Sequence, residues 1–221
     1  LSHYKEMRKA ALAEKFSKGH QRDLAQTLAN GGAGALCALA LAFGPAPWAG
    51  LAFAAAMATV NADTWATELG VLSRGRPRLI TTGREVAAGT SGAISGTGTL
   101  AALGGAGLIG LLAGLFRMLG WDAGAGWGAA LSPLWLTLIV TAAGLLGALF
   151  DSWLGATVQA IYFCDACGQE TERHPAHTCG AGTRPQRGWP WLDNDWVNFL
   201  SSVAGAAFAV ALAIGLGVIG F

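Results

Sequence analysis

The chain has 221 residues, of which 53% are hydrophobic and only 12% are charged. A soluble domain usually carries about 25% charged residues, so this composition excludes an ordinary soluble protein. The net charge of +1 gives no reason to expect a nucleic-acid polymer as a partner. The composition therefore predicts an integral membrane protein.

The basic residues are grouped rather than spread along the chain. Thirteen of the 14 Lys and Arg residues fall in Leu1–Thr27, Val71–Thr90 and Cys164–Asp193, and only Arg117 lies elsewhere. Basic loops stay on the cytoplasmic side of a membrane. The pattern predicts that these three segments share the cytoplasmic side, in a prokaryotic inner or plasma membrane.

The predicted elements begin with a polar, basic segment, 1–27, which has no signal-peptide core and is typical of a cytoplasmic amphipathic helix. Because the chain starts at Leu1 without Met, we expect further segments upstream. Five apolar runs follow, at about Leu28–Phe43, Trp48–Ala62, Thr97–Leu119, Leu131–Phe150 and Val197–Phe221. The fourth run is open to continuation past Asp151.

Five crossings from a cytoplasmic N-terminus leave all three basic segments on one side of the membrane and put Arg117 near the other. Lipid demands that each spanning segment satisfy its own backbone hydrogen bonds, so we predict an all-α transmembrane helix bundle. The whole chain, 1–221, is expected to be one membrane domain with cytoplasmic segments 63–96 and 164–193. No stretch shows strand periodicity, and Gly110 and Gly114 are expected to form a helix-packing notch.

The first group of candidate functional residues lies at the end of the second run. On a helix, Asp63 and Thr67 stand one turn apart, and Asn61 and Glu68 lie on adjacent faces. Two carboxylates at a membrane helix end need a partner, and Mg²⁺ bridging to phosphates is one. The alternative is that Asp63 caps a helix and Glu68 pairs with an Arg of the next loop.

The second group is the loop 77–99, which is rich in Gly, Ser and Thr. Its backbone amides and hydroxyls suit a phosphate at a helix N-terminus, and its arginines suit phosphate oxygens. The alternative is a flexible turn with small-residue packing, and the loop lacks a Walker A sequence. The candidate ligands are Arg78, Thr82, Arg84, Gly89, Thr90, Ser91, Gly92 and Ser95.

The third group follows the fourth run and precedes the fifth. Asp151, emerging from an apolar run, is a candidate second ligand of Mg²⁺, with Gln159 nearby as a substrate-binding candidate. Alternatively, Asp151 caps a helix or is a buried partner of Arg117, although the topology puts Arg117 on the opposite side. Further binding candidates are Asn194, Asp195 and Asn198, for which helix capping is the stronger alternative.

The fourth group has the spacing of a structural zinc site. Cys164 and Cys167 form a C-x₂-C pair, and His174, His177 and Cys179 follow within 15 residues. Five candidate ligands compete for the four places of a tetrahedral site. The preferred set is Cys164, Cys167, His177 and Cys179, with His174 spare. A reducing cytoplasm would keep these thiols free of disulfides. A redox or incidental cysteine group is the alternative.

Together these motifs resemble the DUF92 membrane family, which includes plant phytyl-phosphate kinases and transmembrane protein 19 of animals. The resemblance covers essentially the whole chain. It is carried by Asn61–Gly70 (NADTWATELG), Thr81–Arg84 (TTGR), Gly89–Gly92 (GTSG), Asp151–Gln159 (DSWLGATVQ), Trp191–Asn198 (WLDNDWVN) and Arg22–Gly31 (RDLAQTLANG).

The resemblance implies phosphorylation of a polyprenyl monophosphate to its diphosphate, with CTP or another nucleoside triphosphate as donor. It also implies membrane lipid as a partner and further helices before Leu1, and it leaves an oligomer open. Two alternatives remain: a prenyl-phosphate or small-molecule transporter or flippase, and a non-catalytic membrane scaffold. One-sided clustering of the polar residues argues against a transporter, which needs a site reachable from both sides.

Overall fold

A computed structural model describes residues 24–43, 46, 48–73, 75–121, 127 and 131–219. Most of the predicted N-terminal amphipathic helix lies outside the described residues, and residues 24–27 open the first helix. Five long helices are described: α1 (Leu24–Phe43), α2 (Ala49–Gly70), α3 (Gly96–Leu119), α4 (Pro133–Thr157) and α5 (Asn194–Gly215). The protein is thus the helical bundle that the apolar runs predict.

The helix ends follow capping chemistry encoded in the sequence. The Ser95 hydroxyl accepts a hydrogen bond from the Gly98 amide at the start of α3. Ser132 accepts from the Trp135 amide at the start of α4, where Pro133 occupies the first position. At the other end of α3, Gly120 adopts the left-handed conformation, with φ of 70°. These caps define the start and end of α3 and the start of α4.

Four of these helices, α1, α3, α4 and α5, are long and apolar enough to cross a membrane. Exposed leucines lie along them, for example Leu28, Leu100, Leu111 and Leu134, as expected for a lipid-facing surface. The helix α2 carries two carboxylates and contacts all four other long helices. Ten of its 22 residues are buried, so α2 forms the centre of the bundle.

Small residues let the helices pack closely. A Cβ atom added at Gly110 would overlap Thr141, and one at Gly114 would lie 2.9 Å from the Pro133 carbonyl oxygen. The predicted notch is therefore confirmed as the α3–α4 contact. Bilayers provide little hydrophobic drive between helices, so such close approach contributes much of the packing energy.

The sequence shows no strand periodicity, yet the connecting segments contain short strands. The strands β1 (Arg78–Leu79) and β2 (Ala93–Ile94) pair antiparallel between α2 and α3. A three-stranded antiparallel sheet follows α4, in the order β4–β3–β5. These strands are β3 (Ile161–Cys164), β4 (Gln169–Thr171) and β5 (Arg184–Arg187). At two to four residues, they are too short for side-chain alternation to be visible in the sequence.

The predicted boundaries also shift where polar residues continue a helix. The helix α2 runs past Ala62 to Gly70, and α4 runs past Phe150 to Thr157. Both Asp63 and Asp151 therefore lie inside helices instead of at their ends. The three-stranded sheet with its connecting turns, residues 161–187, is called the hairpin module below.

Candidate functional site

Two acidic side chains from different helices meet in the bundle. Asp63 of α2 and Asp151 of α4 are close enough for their charges to interact, and Asp151 also interacts with the charge of Glu172. The Ser201 hydroxyl of α5 donates a hydrogen bond of 3.0 Å to an Asp151 carboxylate oxygen. We call Asp63, Asp151 and Ser201 the polar layer. Three helices thus each contribute one side chain to a single level of the bundle.

The polar layer lies about two turns from the helix ends. Asp63 is seven residues before the end of α2, Asp151 is six before the end of α4, and Ser201 is seven after the start of α5. At 1.5 Å per residue, each position lies about 10 Å inside its helix end. All three positions belong to the end of the bundle that carries the loop 71–95 and the hairpin module.

A closely packed floor lies one helical turn further in. Thr59 is completely buried, and Cβ atoms added at Gly147 or Gly205 would overlap its side chain. These three residues precede or follow Asp63, Asp151 and Ser201 by four positions. Since residues four apart share a helix face, the floor lies directly below the polar layer. The polar layer is therefore closed on its inner side.

This geometry contradicts two of the structural alternatives, namely Asp63 as a helix cap and Asp151 as a partner of Arg117. Asp63 lies in mid-helix and does not cap α2. Asp151 is bonded to Ser201, whereas the Arg117 guanidinium donates to the Leu131 carbonyl at the other end of the bundle.

Capping explains part of the third candidate group. The residue that caps α5 is Asp193, which accepts from the Asp195 and Trp196 amides. Asn194 and Asp195 occupy the first turn of α5 and are half-buried. The Asn198 carbonyl oxygen also lies 3.0 Å from the Ser201 hydroxyl, so Asn198 adjoins the polar layer.

The other candidates on α2 point in different directions. The Asn61 amide donates to the Gly105 carbonyl at 2.8 Å, which ties α2 to α3. Thr67 and Glu68 are exposed. The structure thus brings Asp63 into the polar layer, gives Asn61 a packing contact and leaves Thr67 and Glu68 at the surface near the helix end.

A second polar group joins the loop, α4 and the hairpin module. The buried Gln159 accepts a hydrogen bond from the Ser91 hydroxyl at 2.6 Å. Its amide nitrogen donates to the Glu172 carboxylate at 2.9 Å. Gly92, with φ of +80°, lies where any Cβ would overlap Ala156. We call Ser91, Gln159 and Glu172 the joint.

An arginine of β5 reinforces the joint. The Arg187 guanidinium donates to the Gly155 carbonyl at 2.7 Å and to the Ser91 carbonyl at 3.4 Å. Burial lowers the pKa of Arg187, while the charges of Glu170 and Glu172 raise it. A shallow cleft beside the joint is lined by Gly89, Ser91, Ile161, Glu170, Thr171 and Glu172.

The remaining loop candidates are separated from the joint. The Arg78 guanidinium pairs with Glu85 at 3.1 Å and donates to the Gly83 carbonyl. Thr82 and Arg84 are exposed at the tip of the same turn. Ser95 caps α3, and the Thr90 amide donates to the Ala87 carbonyl. Of the loop candidates, Gly89, Ser91 and Gly92 lie at the joint or its cleft.

The cysteine group forms a compact set of four ligands. The nearest ligand atoms of Cys164, Cys167, His177 and Cys179 all lie within 4.8 Å of one another. The Cys164 and Cys179 sulfurs are 3.7 Å apart, and His177 Nδ1 is 3.4 Å from Cys167 and 3.3 Å from Cys179. A tetrahedral zinc ion would require edges of about 3.8 Å between sulfurs and about 3.5 Å from sulfur to nitrogen. The set therefore fits a metal ion such as zinc.

The surroundings of the four ligands also suit a metal. The Ala181 amide, His177 and the neighbouring thiols lower the pKa of Cys179 to about 6, which favours the ligating thiolate. Hydrogen bonding to Cys179 raises the pKa of Cys167 to about 12, so this thiol would have to lose its proton when a metal ion binds. His174 stands apart, stacked on Tyr162 at 4.4 Å and hydrogen-bonded to Thr183. His174 is thus the spare histidine that the spacing favoured.

Sequence reasoning missed Ser201, Glu172 and Arg187. Ser201 belongs to a Ser-Ser pair inside an apolar run, three residues after Asn198, which was a usable signal. Glu172 and Arg187 lie among many charged residues of the hairpin module, where nothing local distinguishes them. Only the pairing of β3 with β4 and β5 brings them against α4.

Together, the apolar helices, the polar layer and the metal-ligand set define an integral membrane helix bundle with a hairpin module whose Cys and His residues could hold a metal ion. The profile of the family described as "Integral membrane protein DUF92" matches residues 1–206. The chain belongs to this family.

Three curated proteins illustrate the relationship. Protein PGR of Arabidopsis thaliana is 35% identical over 65% of this chain and 48% of its own length. An uncharacterized membrane protein of Synechocystis is 32% identical over 94% of this chain and 66% of its own. One of Methanocaldococcus jannaschii is 39% identical over 61% and 50%. The chain thus spans about half to two thirds of these relatives. No solved structure matches it significantly.

Proposed function

We propose that the protein is a nucleoside-triphosphate-dependent kinase that converts a polyprenyl monophosphate, of the phytyl or geranylgeranyl kind, to its diphosphate. The observation that carries the proposal is the pair of carboxylates Asp63 and Asp151, which are close enough for their charges to interact and lie about two turns inside the bundle end that carries the Gly-Ser loop. The resemblance to plant phytyl-phosphate kinases gives the reaction its class. The grouping of basic residues supports a cytoplasmic site.

The proposed arrangement divides the substrates between lipid and water. The prenyl chain lies against the apolar helices, with its phosphate near the polar layer at the loop end. The nucleotide enters from the cytosol over the loop 71–95. The backbone amides of Gly89, Ser91 and Gly92 and the exposed Arg84, with Arg78, contact the donor phosphates.

Positioning and charge neutralisation dominate the proposed reaction. A phosphate oxygen of the prenyl monophosphate attacks the γ-phosphorus, the bond to the β-phosphate oxygen breaks, and the nucleoside diphosphate leaves. The acceptor is already anionic, so no strong general base is needed. Asp63 and Asp151 are the residues that would hold Mg²⁺, which supplies neutralisation of phosphate charge, whereas the exposed Glu68 lies apart from them near the helix end. Ser201 holds the Asp151 carboxylate in place.

Phosphoryl transfer in nanodiscs tests the proposal. The purified protein is incubated with Mg²⁺, γ-labelled CTP or ATP, and prenyl monophosphates from geranyl upward. We expect labelled prenyl diphosphate, and loss of at least 100-fold in turnover for Asp63→Asn with unchanged thermal unfolding. The matched control is Asp165→Asn, which removes an exposed carboxylate paired with Arg184 and should keep wild-type turnover.

Other results would redirect the assignment. Wild-type turnover in Asp63→Asn would remove Asp63 from the mechanism. Protein that binds prenyl phosphate yet makes no product with any donor would favour a transporter. Absence of both binding and product would favour a scaffold.

A further inference from the structure

We infer that Arg187 is a positioning residue that locks the hairpin module onto the Gly-Ser loop and so sets the orientation of the Ser91–Gly92 peptide. The inference rests on the proposed function for its kinetic consequence. Its structural part is independent of any activity.

Arg187 of β5 contacts both the end of α4 and the Gly-Ser loop. Its guanidinium bridges two separate segments, because one nitrogen donates to the Gly155 carbonyl and another to the Ser91 carbonyl. Gly155 belongs to the last turn of α4, where helical carbonyls lack partners within the helix. Arg187 thus satisfies a helix-end carbonyl and fastens the loop with one planar group.

The contact with Arg187 restricts the orientation of the peptide between Ser91 and Gly92. In a trans peptide, the carbonyl and the following amide point in opposite directions. With its Ser91 carbonyl held by Arg187, the peptide must direct the Gly92 amide away from that guanidinium. The Ile80 amide binds the next carbonyl, that of Gly92, at 3.1 Å. Two consecutive carbonyls are therefore fixed, and the loop has little freedom to flip.

The residues around the contact between Arg187 and the loop are closely packed. A Cβ atom on Gly155 would lie 2.8 Å from the Ser91 hydroxyl oxygen and 2.9 Å from the Gly92 nitrogen. A Cβ on Gly188, next to Arg187, would overlap the Gln159 carbonyl. The strand β5 therefore packs directly on the end of α4, and Arg187 lies in the contact.

The same strand offers a matched control. Arg184 is exposed, pairs with Asp165 at 3.1 Å and lies over the Phe163 ring at 4.9 Å. Both of these contacts lie within the hairpin module. Replacing Arg184 therefore changes the charge of β5 equally without touching the loop.

Hydrogen–deuterium exchange tests the inference on Arg187→Met and Arg184→Met in nanodiscs. We expect amide exchange in residues 89–92 to rise at least tenfold in Arg187→Met and to stay at the wild-type rate in Arg184→Met. Arg187→Lys, which supplies a single donor group, should fall between the two and serves if the methionine variant fails to fold. Wild-type exchange in residues 89–92 of both Arg187 variants would overturn the inference.

Kinetics separates a positioning role from a purely structural one. If the loop amides bind the donor phosphates, Arg187→Met should raise the nucleotide KM at least fivefold and leave the prenyl-phosphate KM unchanged. An equal change in both constants would contradict the positioning role. Faster exchange in the Arg187 variants of a protein without kinase activity would support the positioning of the loop by Arg187 and reject the proposed function.

Discussion

At the residue scale, Thr59 is the position on which the polar layer depends. Its side chain is completely buried and occupies the space that Gly147 and Gly205 leave open between α4 and α5. Its hydroxyl donates to the Ala55 carbonyl, so no polar atom of the threonine is unsatisfied. Packing at this one residue sets the distance between the helices that present Asp63 and Asp151.

We therefore expect Gly205→Ala to destabilise the protein, because the new methyl group would overlap Thr59. Overpacking of this kind typically costs about 1–3 kcal/mol. Thr59→Ala removes the overlapping atoms, so the double variant should lose less stability than the two single losses together. Thermal unfolding in detergent measures this coupling. Strictly additive losses would show that Thr59 and Gly205 do not share this space.

At the element scale, the hairpin module holds its four metal ligands on two turns. Cys164 and Cys167 lie at the β3–β4 turn, and His177 and Cys179 lie on the segment between β4 and β5. The sheet is small and has little apolar core of its own. Metal binding to such a module typically supplies folding free energy.

We expect the purified protein to contain one equivalent of zinc, which His177→Ala should lose. His174→Phe is the matched control, because it keeps a ring stacked on Tyr162 and removes no ligand. Metal analysis of protein purified without added zinc gives the stoichiometry. Loss of zinc in His174→Phe with retention in His177→Ala would reverse the assignment of the histidines.

The elements also show how far sequence reasoning reaches. Long apolar runs predict the helices because a spanning segment must be apolar over about 20 residues. The Cys-His spacing predicts the four ligands because tetrahedral coordination restricts their separation. The meeting of Ser91, Gln159 and Glu172 was beyond prediction, because it depends on how three segments pack. The second apolar run stops at Ala62, short of the end of α2, because Asp63 interrupts it. Continuation of the fourth run past Asp151 is open from the sequence, and α4 does continue to Thr157.

At the whole-molecule scale, the polar layer, the joint and the metal-ligand set all lie at one end of the bundle. The opposite end holds Arg117 and the turn at Gly120. The described parts of two basic segments, 71–90 and 164–193, lie at the first end, including Arg173, Arg184 and Arg187 of the hairpin module. The chain is therefore asymmetric along the membrane normal, and basic segments predict that the site end faces the cytoplasm.

Cysteine accessibility checks this orientation. We expect Gly75→Cys, in the loop 71–95 with open space around it, to react with a membrane-impermeant maleimide only in inverted vesicles. Trp121→Cys, which is 73% exposed at the opposite end, should react only in intact cells. The unsubstituted chain gives the background from its own four cysteines. The reverse pattern would place the polar layer outside, where cytosolic nucleotide cannot reach it, and would reject the proposed kinase together with the orientation.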